Sequence, residues 1–270
     1  MNPPNKTDMK TNITLSLLLL SSLYSFSQVL KPKNMCFIPK GTLTTKVDGG
    51  HREVPIDAFW MSELITNREY REFINALKVN PNDSIVIIDF QRYKETNDKE
   101  LSTKRYSFEE VLVNVLDTSV WDSNAKYKNY FADKRFDNYP VVGVSYSNAV
   151  FYCAWRTQME NEVNRKKGLP FAVANRLPNE AEWDYVAGIS ANIKTNEISK
   201  VKSGKKNKYG LHSLNGNVSA WTSSSVPNEG IIIKGTSWKT DRQLNDRLVV
   251  KPDYKDNATG FRLVKTYVGQ

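Results

Sequence analysis

The chain has few of the side chains that metal and redox chemistry requires. Its 270 residues include two cysteines, Cys36 and Cys153, and two histidines, His51 and His212. Two histidines cannot supply a site of three imidazole ligands, so both are interpreted as ordinary surface or packing residues. The cysteines lie in separate apolar stretches, which predicts two separately buried thiols; a disulfide is the alternative if the protein is exported.

Long apolar runs are also scarce. The apolar stretch from Ile13 to about Leu23 is too short to span a bilayer, which takes roughly 20 residues. It follows a lysine and precedes the small residues Ser25 and Ser27, an order that is typical of a secretory signal peptide. We therefore expect residues 1–27 to be a signal peptide cleaved after Ser27, with Met9 as an alternative start.

Residues 28–270 are expected to form a single exported domain, because they contain no repeat and no linker-like segment. No cysteine stands at the cleavage site and no further apolar run follows, so neither a lipid anchor nor a transmembrane segment is expected. The hydrophobic, charged and aromatic fractions of 40%, 25% and 11% are typical of a globular protein and exclude a disordered one.

Positive charge exceeds negative charge, and the formal net charge is +9. Part of the excess is concentrated in residues 194–208, where one glutamate stands among six lysines: Lys194, Lys200, Lys202, Lys205, Lys206 and Lys208. No nucleic-acid-binding motif accompanies them, so no nucleic-acid partner is expected. The segment is interpreted as a solvated surface loop, and the alternative is contact with an acidic partner.

Capping residues and apolar periodicity predict three helices. In the first, Thr66 is the N-cap and Glu69 completes a capping box. Its apolar face consists of Tyr70, Phe73, Ile74 and Leu77. The second helix begins after Ser145 and ends near Gly168. Its apolar face is predicted to consist of Val150, Cys153, Ala154 and Thr157.

The third helix lies in RLPNEAEWDYVAG, residues 176–188. Asn179 is its predicted N-cap, Glu182 is the capping-box partner, and Gly188 ends it. Its apolar stripe consists of Trp183, Val186 and Ala187.

The strand signals are short and scattered: MCFIP, IDAFWM, VVGV, GIIIKG and GFRLV. In the last, polar Arg262 alternates with Phe261 and Leu263. Residues 79–138 read as an ordered insert that is rich in aromatic side chains, with a short helix at SFEEVLVNVLD. These signals predict an α+β fold with few regular elements and long ordered loops.

Six motifs together carry a family resemblance: IDAFWMSELITNREYREFI, YPVVGVSYSNAVFYCAWRT, RLPNEAEWDYVAG, YGLHSLNGNVSAWTS, IKGTSW and ATGFRLV. In this order they resemble the formylglycine-generating-enzyme family, the sulfatase-modifying-factor domain, over residues 34 to 266. The resemblance implies that family's fold, a variant of the C-type-lectin fold with little regular secondary structure. Within the family, residues 115–146 and 155–171 resemble the K and J lipoproteins of gliding motility and type IX secretion.

The resemblance also indicates which chemistry is missing. The family's oxidase activity rests on a copper-binding cysteine pair between the motifs that correspond to IKGTSW and ATGFRLV, and the interval Lys239–Thr259 contains no cysteine. The family's iron chemistry requires three histidines, which the chain lacks. In the calcium-binding motif, Ser219 and Ala220 replace a tryptophan and a glutamate, so no high-affinity calcium site is expected. No catalytic, cofactor-binding or metal-binding residue is assigned.

Nine residues of the family motifs are given structural roles: Arg176, Glu182, Trp183, Asn217, Trp221, Gly235, Trp238, Gly260 and Arg262. Arg176, Glu182 and Arg262 are predicted to form a partly buried charged network in which an arginine donates to loop carbonyls. The tryptophans supply large apolar contacts. The two glycines mark places where a side chain would clash.

The resemblance and the missing ligands together predict a non-catalytic structural or adaptor protein of the cell envelope. It is expected to be exported, periplasmic or associated with the outer membrane without a lipid, and to bind envelope proteins of the type IX secretion and gliding machinery. Two alternatives stay open: a divergent metal-dependent oxidase, and a module that binds a glycan or a peptide.

Overall fold

A computed structural model describes residues 31–47, 49–88, 103–188, 195–240 and 246–267. Residues 32–267 form one compact unit. The expected signal peptide and Lys194 lie outside the described residues. No helix within the described ranges is both long and apolar enough to cross a membrane.

The described residues contain four α-helices: α1 (Asn67–Val79), α2 (Phe108–Leu112), α3 (Tyr146–Lys166) and α4 (Glu180–Ala187). The capping boxes predicted for α1 and α4 are confirmed, because the N-cap side chain accepts from the third residue of each helix and that residue's carboxylate accepts in return. Three short 3-10 helices lie between α2 and α3: Ser119–Trp121, Ala125–Tyr127 and Lys134–Phe136.

Eleven strands in the described residues form four small sheets. The strands are β1 (Met35–Ile38), β2 (Gly41–Val47), β3 (Gly50–Ile56), β4 (Phe59–Leu64), β5 (Ser84–Ile88), β6 (Thr103–Ser107), β7 (Ser219–Val226), β8 (Gly230–Lys234), β9 (Leu248–Val250), β10 (Thr259–Gly260) and β11 (Arg262–Thr266). One sheet has the order β1-β4-β11 and another β10-β7-β8-β9, while β2–β3 and β5–β6 are hairpins. The sheets are antiparallel except where β10 pairs with β7 in parallel.

The strand predicted at VVGV does not form. Val141 donates its amide to the Ile65 carbonyl and Gly143 donates to the Asp256 carbonyl, each at 2.8 to 2.9 Å, so these backbone groups are satisfied by distant loops instead of a ladder. Gly143 has φ +76° and an added Cβ would lie 2.2 Å from the Asp117 carbonyl oxygen. The apolar run is buried without being a strand because its neighbours are irregular segments.

The apolar face predicted for α3 is rotated from the observed one. Asn148, Ala149, Tyr152, Cys153 and Trp155 are the buried residues of the helix. The helix packs on more than one side, since Tyr152 stacks on Tyr70 at a centroid distance of 5.7 Å and Phe151 contacts Tyr106 of the β5–β6 hairpin at 4.9 Å. A single stripe therefore could not describe its contacts.

The described part of the 79–138 segment is ordered and packed, as its aromatic content predicts. It contributes the β5–β6 hairpin, α2 and the three 3-10 helices. The rings of Trp121, Tyr127, Tyr130 and Phe136 form a cluster with centroid distances of 4.6 to 6.1 Å. This cluster, together with Val142 and Val218, is one of three buried apolar clusters in the described residues.

Candidate functional site

The central polar feature is a buried arginine on β11. Arg262 is 1% exposed and donates to the carbonyls of His212 and Ser213 at 2.6 and 2.8 Å. It also lies 3.3 Å from a Glu63 carboxylate oxygen, and Glu63 in turn accepts from the His212 amide and contacts its Nδ1 at 2.7 Å. The guanidinium therefore joins β4 and β11 to the loop that precedes β7.

Burial lowers the pKa of Arg262 from its ordinary value because it disfavours the charged form, and the Glu63 carboxylate opposes that shift. The prediction that an arginine donates to loop carbonyls is confirmed for Arg262. The prediction of partial burial is correct for Arg176 and wrong for Arg262, because β11 is covered on both faces and Phe261, Arg262 and Leu263 are all buried. His212, interpreted as a packing residue, is a buried partner of Glu63.

The structure places Arg176 and Glu182 in a second, separate pair. The Arg176 guanidinium donates to both carboxylate oxygens of Glu182 at 2.6 and 2.7 Å, a bidentate geometry. Glu182 also accepts from the Asn179 amide at 2.9 Å, so one carboxylate serves the cap and the ion pair. The backbone of Arg176 exchanges hydrogen bonds with Val264, which fixes the start of α4 against β11.

The two motif glycines lie where neighbouring groups approach closely. Gly235 has φ +87°, and an added Cβ would lie 2.8 Å from Cζ2 of Trp183, which is itself buried on α4. At Gly260 an added Cβ would lie 2.9 Å from the Val141 carbonyl oxygen. Any side chain at these positions would push α4 or the VVGV segment away.

The other two motif tryptophans each donate to a distant carbonyl. Trp221 is fully buried and its Nε1 donates to Val144 at 2.9 Å, while Trp238 donates to Asn257 at 3.0 Å. Trp238 is half-buried and stacks on Trp121 at a centroid distance of 5.8 Å and an interplanar angle of 11°. The space beside the IKGTSW motif is thus occupied by an aromatic stack.

Asn217 connects the lysine-rich segment to β7. It is buried with φ +60°, its Nδ2 donates to the Ser199 carbonyl at 3.0 Å, and its Oδ1 accepts from the Ser199 amide at 3.0 Å. Its own amide donates to Thr195 Oγ1 at 3.1 Å. Ile198 and Val201 of the same segment are buried, so the loop is anchored although its described lysines are exposed.

The two cysteines do not form a disulfide with each other. Cys153 is buried in the cluster around α3, where burial raises the pKa of its thiol well above the ordinary value. Cys36 packs against a different cluster and is half-buried, so the prediction of a buried thiol is correct for Cys153 and wrong for Cys36. Within the described ranges, no three His, Cys, Asp or Glu side chains are grouped as a metal site.

Sequence reasoning missed three ionic residues of the interior: the partly buried Glu63 and the buried Lys234 and Lys265. Glu63 is the partner of Arg262, and Lys234 is 1% exposed on β8 and reaches Asp184 at 2.9 Å and Glu180 at 3.4 Å. Burial raises the pKa of Asp184, and Lys234 opposes that shift. These charges lie in β4, β8 and β11, and nothing in the neighbouring sequence distinguishes them from surface charges.

A cavity of about 360 Å³ lies at the junction of β1, β4, α1, α3 and the lysine-rich segment. Its wall includes the apolar side chains of Met35, Leu64 and Leu263. None of the described lining residues comes from the interval Lys239–Thr259, in which the resemblance places the family's copper-binding cysteines.

Comparison with known proteins identifies the family to which this fold belongs. The family model for the sulfatase-modifying factor enzyme 1-like domain matches residues 22–194 and 189–267. The chain therefore belongs to this family, and it has the formylglycine-generating-enzyme fold that its motifs predict.

Two curated relatives bear the name inactive C-alpha-formylglycine-generating enzyme 2. The protein from Bos taurus is 28% identical over 264 residues, covering 85% of this chain and 87% of the relative. The protein from Mus musculus is 29% identical over 245 residues, covering 80% and 77%.

Among solved structures, CarF is similar with a TM-score of 0.55 and 17% identity, covering 87% of this chain and 98% of CarF. PvdO from Pseudomonas aeruginosa has a TM-score of 0.56 and 18% identity, covering 86% and 94%. At these identities the likeness concerns the fold alone.

Proposed function

We propose that this protein is a non-catalytic member of its family that acts as a structural or adaptor protein of the cell envelope. The observation that carries the proposal is the interval Lys239–Thr259, which contains no cysteine although the motifs on both sides of it are kept. A thiolate pair is what binds Cu(I) in that chemistry, and neither Cys36 nor Cys153 lies in the interval.

The surroundings of the motifs support the proposal. The residues that the chain keeps bind other parts of the same chain: Arg262 holds loop carbonyls, Asn217 anchors the lysine-rich segment, and Trp238 stacks on Trp121. The names of the two mammalian relatives point the same way, since both are called inactive. The motif residues therefore stabilise the fold, a role that does not require catalysis.

As the finer part of the proposal, the protein is exported, remains in the periplasm or at the outer membrane without a lipid, and binds components of the type IX secretion and gliding machinery. The apolar stretch before Ser27 and the resemblance of residues 115–146 and 155–171 to the K and J lipoproteins support it. The surfaces available for partners are the 79–138 segment and the lysine-rich segment.

An affinity pull-down from native envelopes tests the adaptor function. We expect tagged protein to recover secretion or gliding components that an unrelated tagged protein does not recover. Recovery of no envelope protein would contradict the adaptor reading. The oxidase alternative predicts a different result: protein purified without chelator would carry stoichiometric copper or iron by elemental analysis.

A further inference from the structure

The cavity at the β1, β4, α1, α3 junction has a rim that is rich in positive charge. Lys33, Arg68, Lys200 and Lys202 all line it, although they come from three separate parts of the chain. All four are exposed, and none forms an ion pair with a described residue. The four cations repel one another, and an anion bound between them would offset this repulsion.

The carboxylates that line the same cavity are engaged elsewhere. Glu63 is bound by Arg262 and His212, and Glu160 is paired with Lys265. Glu69 accepts from the amide and hydroxyl of Thr66 as part of the capping box of α1. Glu63 and Glu160 are therefore paired with other cations, and of the lining carboxylates only Glu69, which has no cationic partner in the described residues, is set against the four rim cations.

The lysine-rich segment is fixed in the position that places two of its lysines at the rim. The Val201 amide donates to the Asn138 carbonyl at 2.9 Å, and the Val201 side chain is buried between Lys200 and Lys202. Asn217 holds the segment at Ser199. Lys205 and Lys206 of the same segment are exposed but do not line the cavity.

The cavity interior contains a hydrogen-bond acceptor that lacks a donor. Asn175 lines the cavity and is 5% exposed, and its Oδ1 has no hydrogen-bond partner among the described residues. Its Nδ2 is committed to Thr157 Oγ1 at 3.3 Å. A buried carbonyl oxygen without a partner is costly, and an N–H group of a ligand would satisfy it.

From this arrangement we propose that the cavity binds an acidic peptide segment of a partner protein. Carboxylates of the peptide pair with the rim cations, a backbone or side-chain N–H donates to Asn175, and apolar atoms contact Leu64 and Leu263. A peptide supplies donor, anion and apolar groups together, whereas a polyphosphate has no N–H donor. The inference rests on the proposed adaptor function and gives its partner a chemical class and a site.

A pair of matched double variants tests the site, with a fluorescently labelled hexaglutamate peptide as the probe. Lys200→Glu with Lys202→Glu reverses two rim charges, and Lys205→Glu with Lys206→Glu reverses two charges of the same loop away from the cavity. Both change the net charge by the same amount. We expect the rim variant to raise the Kd about tenfold and the control variant to change it less than about twofold.

Three further measurements keep the result interpretable. Ser203→Trp fills the mouth of the cavity without changing charge and should weaken binding as the rim variant does, with unchanged melting temperatures as the check on folding. Hexaglutamine should not bind. Equal losses in both double variants, or inorganic tripolyphosphate binding as tightly as hexaglutamate, would overturn the proposal in favour of general polyanion attraction.

The same variants separate this inference from the adaptor function in an envelope pull-down. If the rim variant recovers the partners of the wild type, the adaptor function stands and the cavity proposal fails. If hexaglutamate binds the cavity but the wild type recovers no envelope protein, the site stands and the adaptor function fails.

Discussion

A single arginine illustrates how this chain uses charge in its interior. Arg262 is buried and binds three carbonyls, those of Ser62, His212 and Ser213, together with the Glu63 carboxylate. Its five N–H donors suit several acceptors at once, which lysine could not match. The loop before β7 contains Ser213 and Asn217 at positive φ, and the guanidinium compensates for its irregular backbone.

Replacing this arginine should destabilise the protein strongly. Arg262→Ala leaves Glu63 without its charged partner and removes the donor to buried carbonyls. We expect a loss of about 3 to 5 kcal/mol in the free energy of unfolding, since removing one partner of a buried pair strands the other. Urea denaturation monitored by tryptophan fluorescence measures it.

Arg247→Ala is the matched control for that change. Arg247 also pairs with a carboxylate, binding Glu180 at 2.5 and 2.6 Å, but its side chain is 59% exposed. The expected loss is about 0 to 1 kcal/mol because solvent screens exposed pairs. Similar losses in the two variants would contradict the central role given to Arg262.

At the scale of elements, helix α4 is held by its ends and by one close contact. Its first turn is fixed by the Asn179–Glu182 capping box and the Arg176 pair. Its middle is fixed by Trp183, which meets the backbone at Gly235 just after β8. The RLPNEAEWDYVAG motif thus packs helix α4 against the sheet, and Glu182 of the motif stabilises the start of the helix.

Gly235→Ala tests that contact. An L residue at φ +87° costs about 1 to 2 kcal/mol. The new methyl group would also lie 2.8 Å from Cζ2 of Trp183, which adds about 1 to 3 kcal/mol of overpacking. Gly204→Ala is the control, because Gly204 has φ +77° and open space around it, so only the backbone cost should appear. Equal losses in thermal denaturation would remove the argument for close α4–β8 packing.

At the scale of the whole molecule, long loops are held by side chains and backbone contacts rather than by extended sheets. The lysine-rich segment and the 79–138 segment meet where Val201 binds Asn138 and where Lys126 pairs with Glu197 at 2.5 Å. The described lysines of the lysine-rich segment are all exposed. This distribution of charge favours anions over metal cations.

The molecule should consequently bind calcium weakly. Ser219 and Ala220 supply no carboxylate, and exposed lysines repel a dication. A calorimetric titration with calcium chloride should show no micromolar binding, and addition of a chelator should leave the melting temperature unchanged. Micromolar heats that magnesium does not reproduce would show this expectation to be wrong.

The sequence by itself determined the local elements and the family. The capping boxes of α1 and α4 and the strands at MCFIP and GIIIKG depend on neighbouring residues, and hence their patterns are readable in the chain. The sequence also marked Gly235 and Gly260 as positions where a side chain would clash, although the groups they meet, Trp183 and the Val141 carbonyl, come from distant parts of the chain. The absence of cysteine from Lys239–Thr259 is also a property of the sequence alone.

Only the tertiary structure decided which charges are buried and which of them meet. Arg262 and Glu63 are 199 residues apart, and Lys33 and Lys202 approach one cavity from opposite parts of the chain. Burial on both faces of β11 and the irregular VVGV segment likewise depend on distant loops. The physical reason is that hydrogen bonds and ion pairs depend on distance in space, which local sequence patterns do not encode.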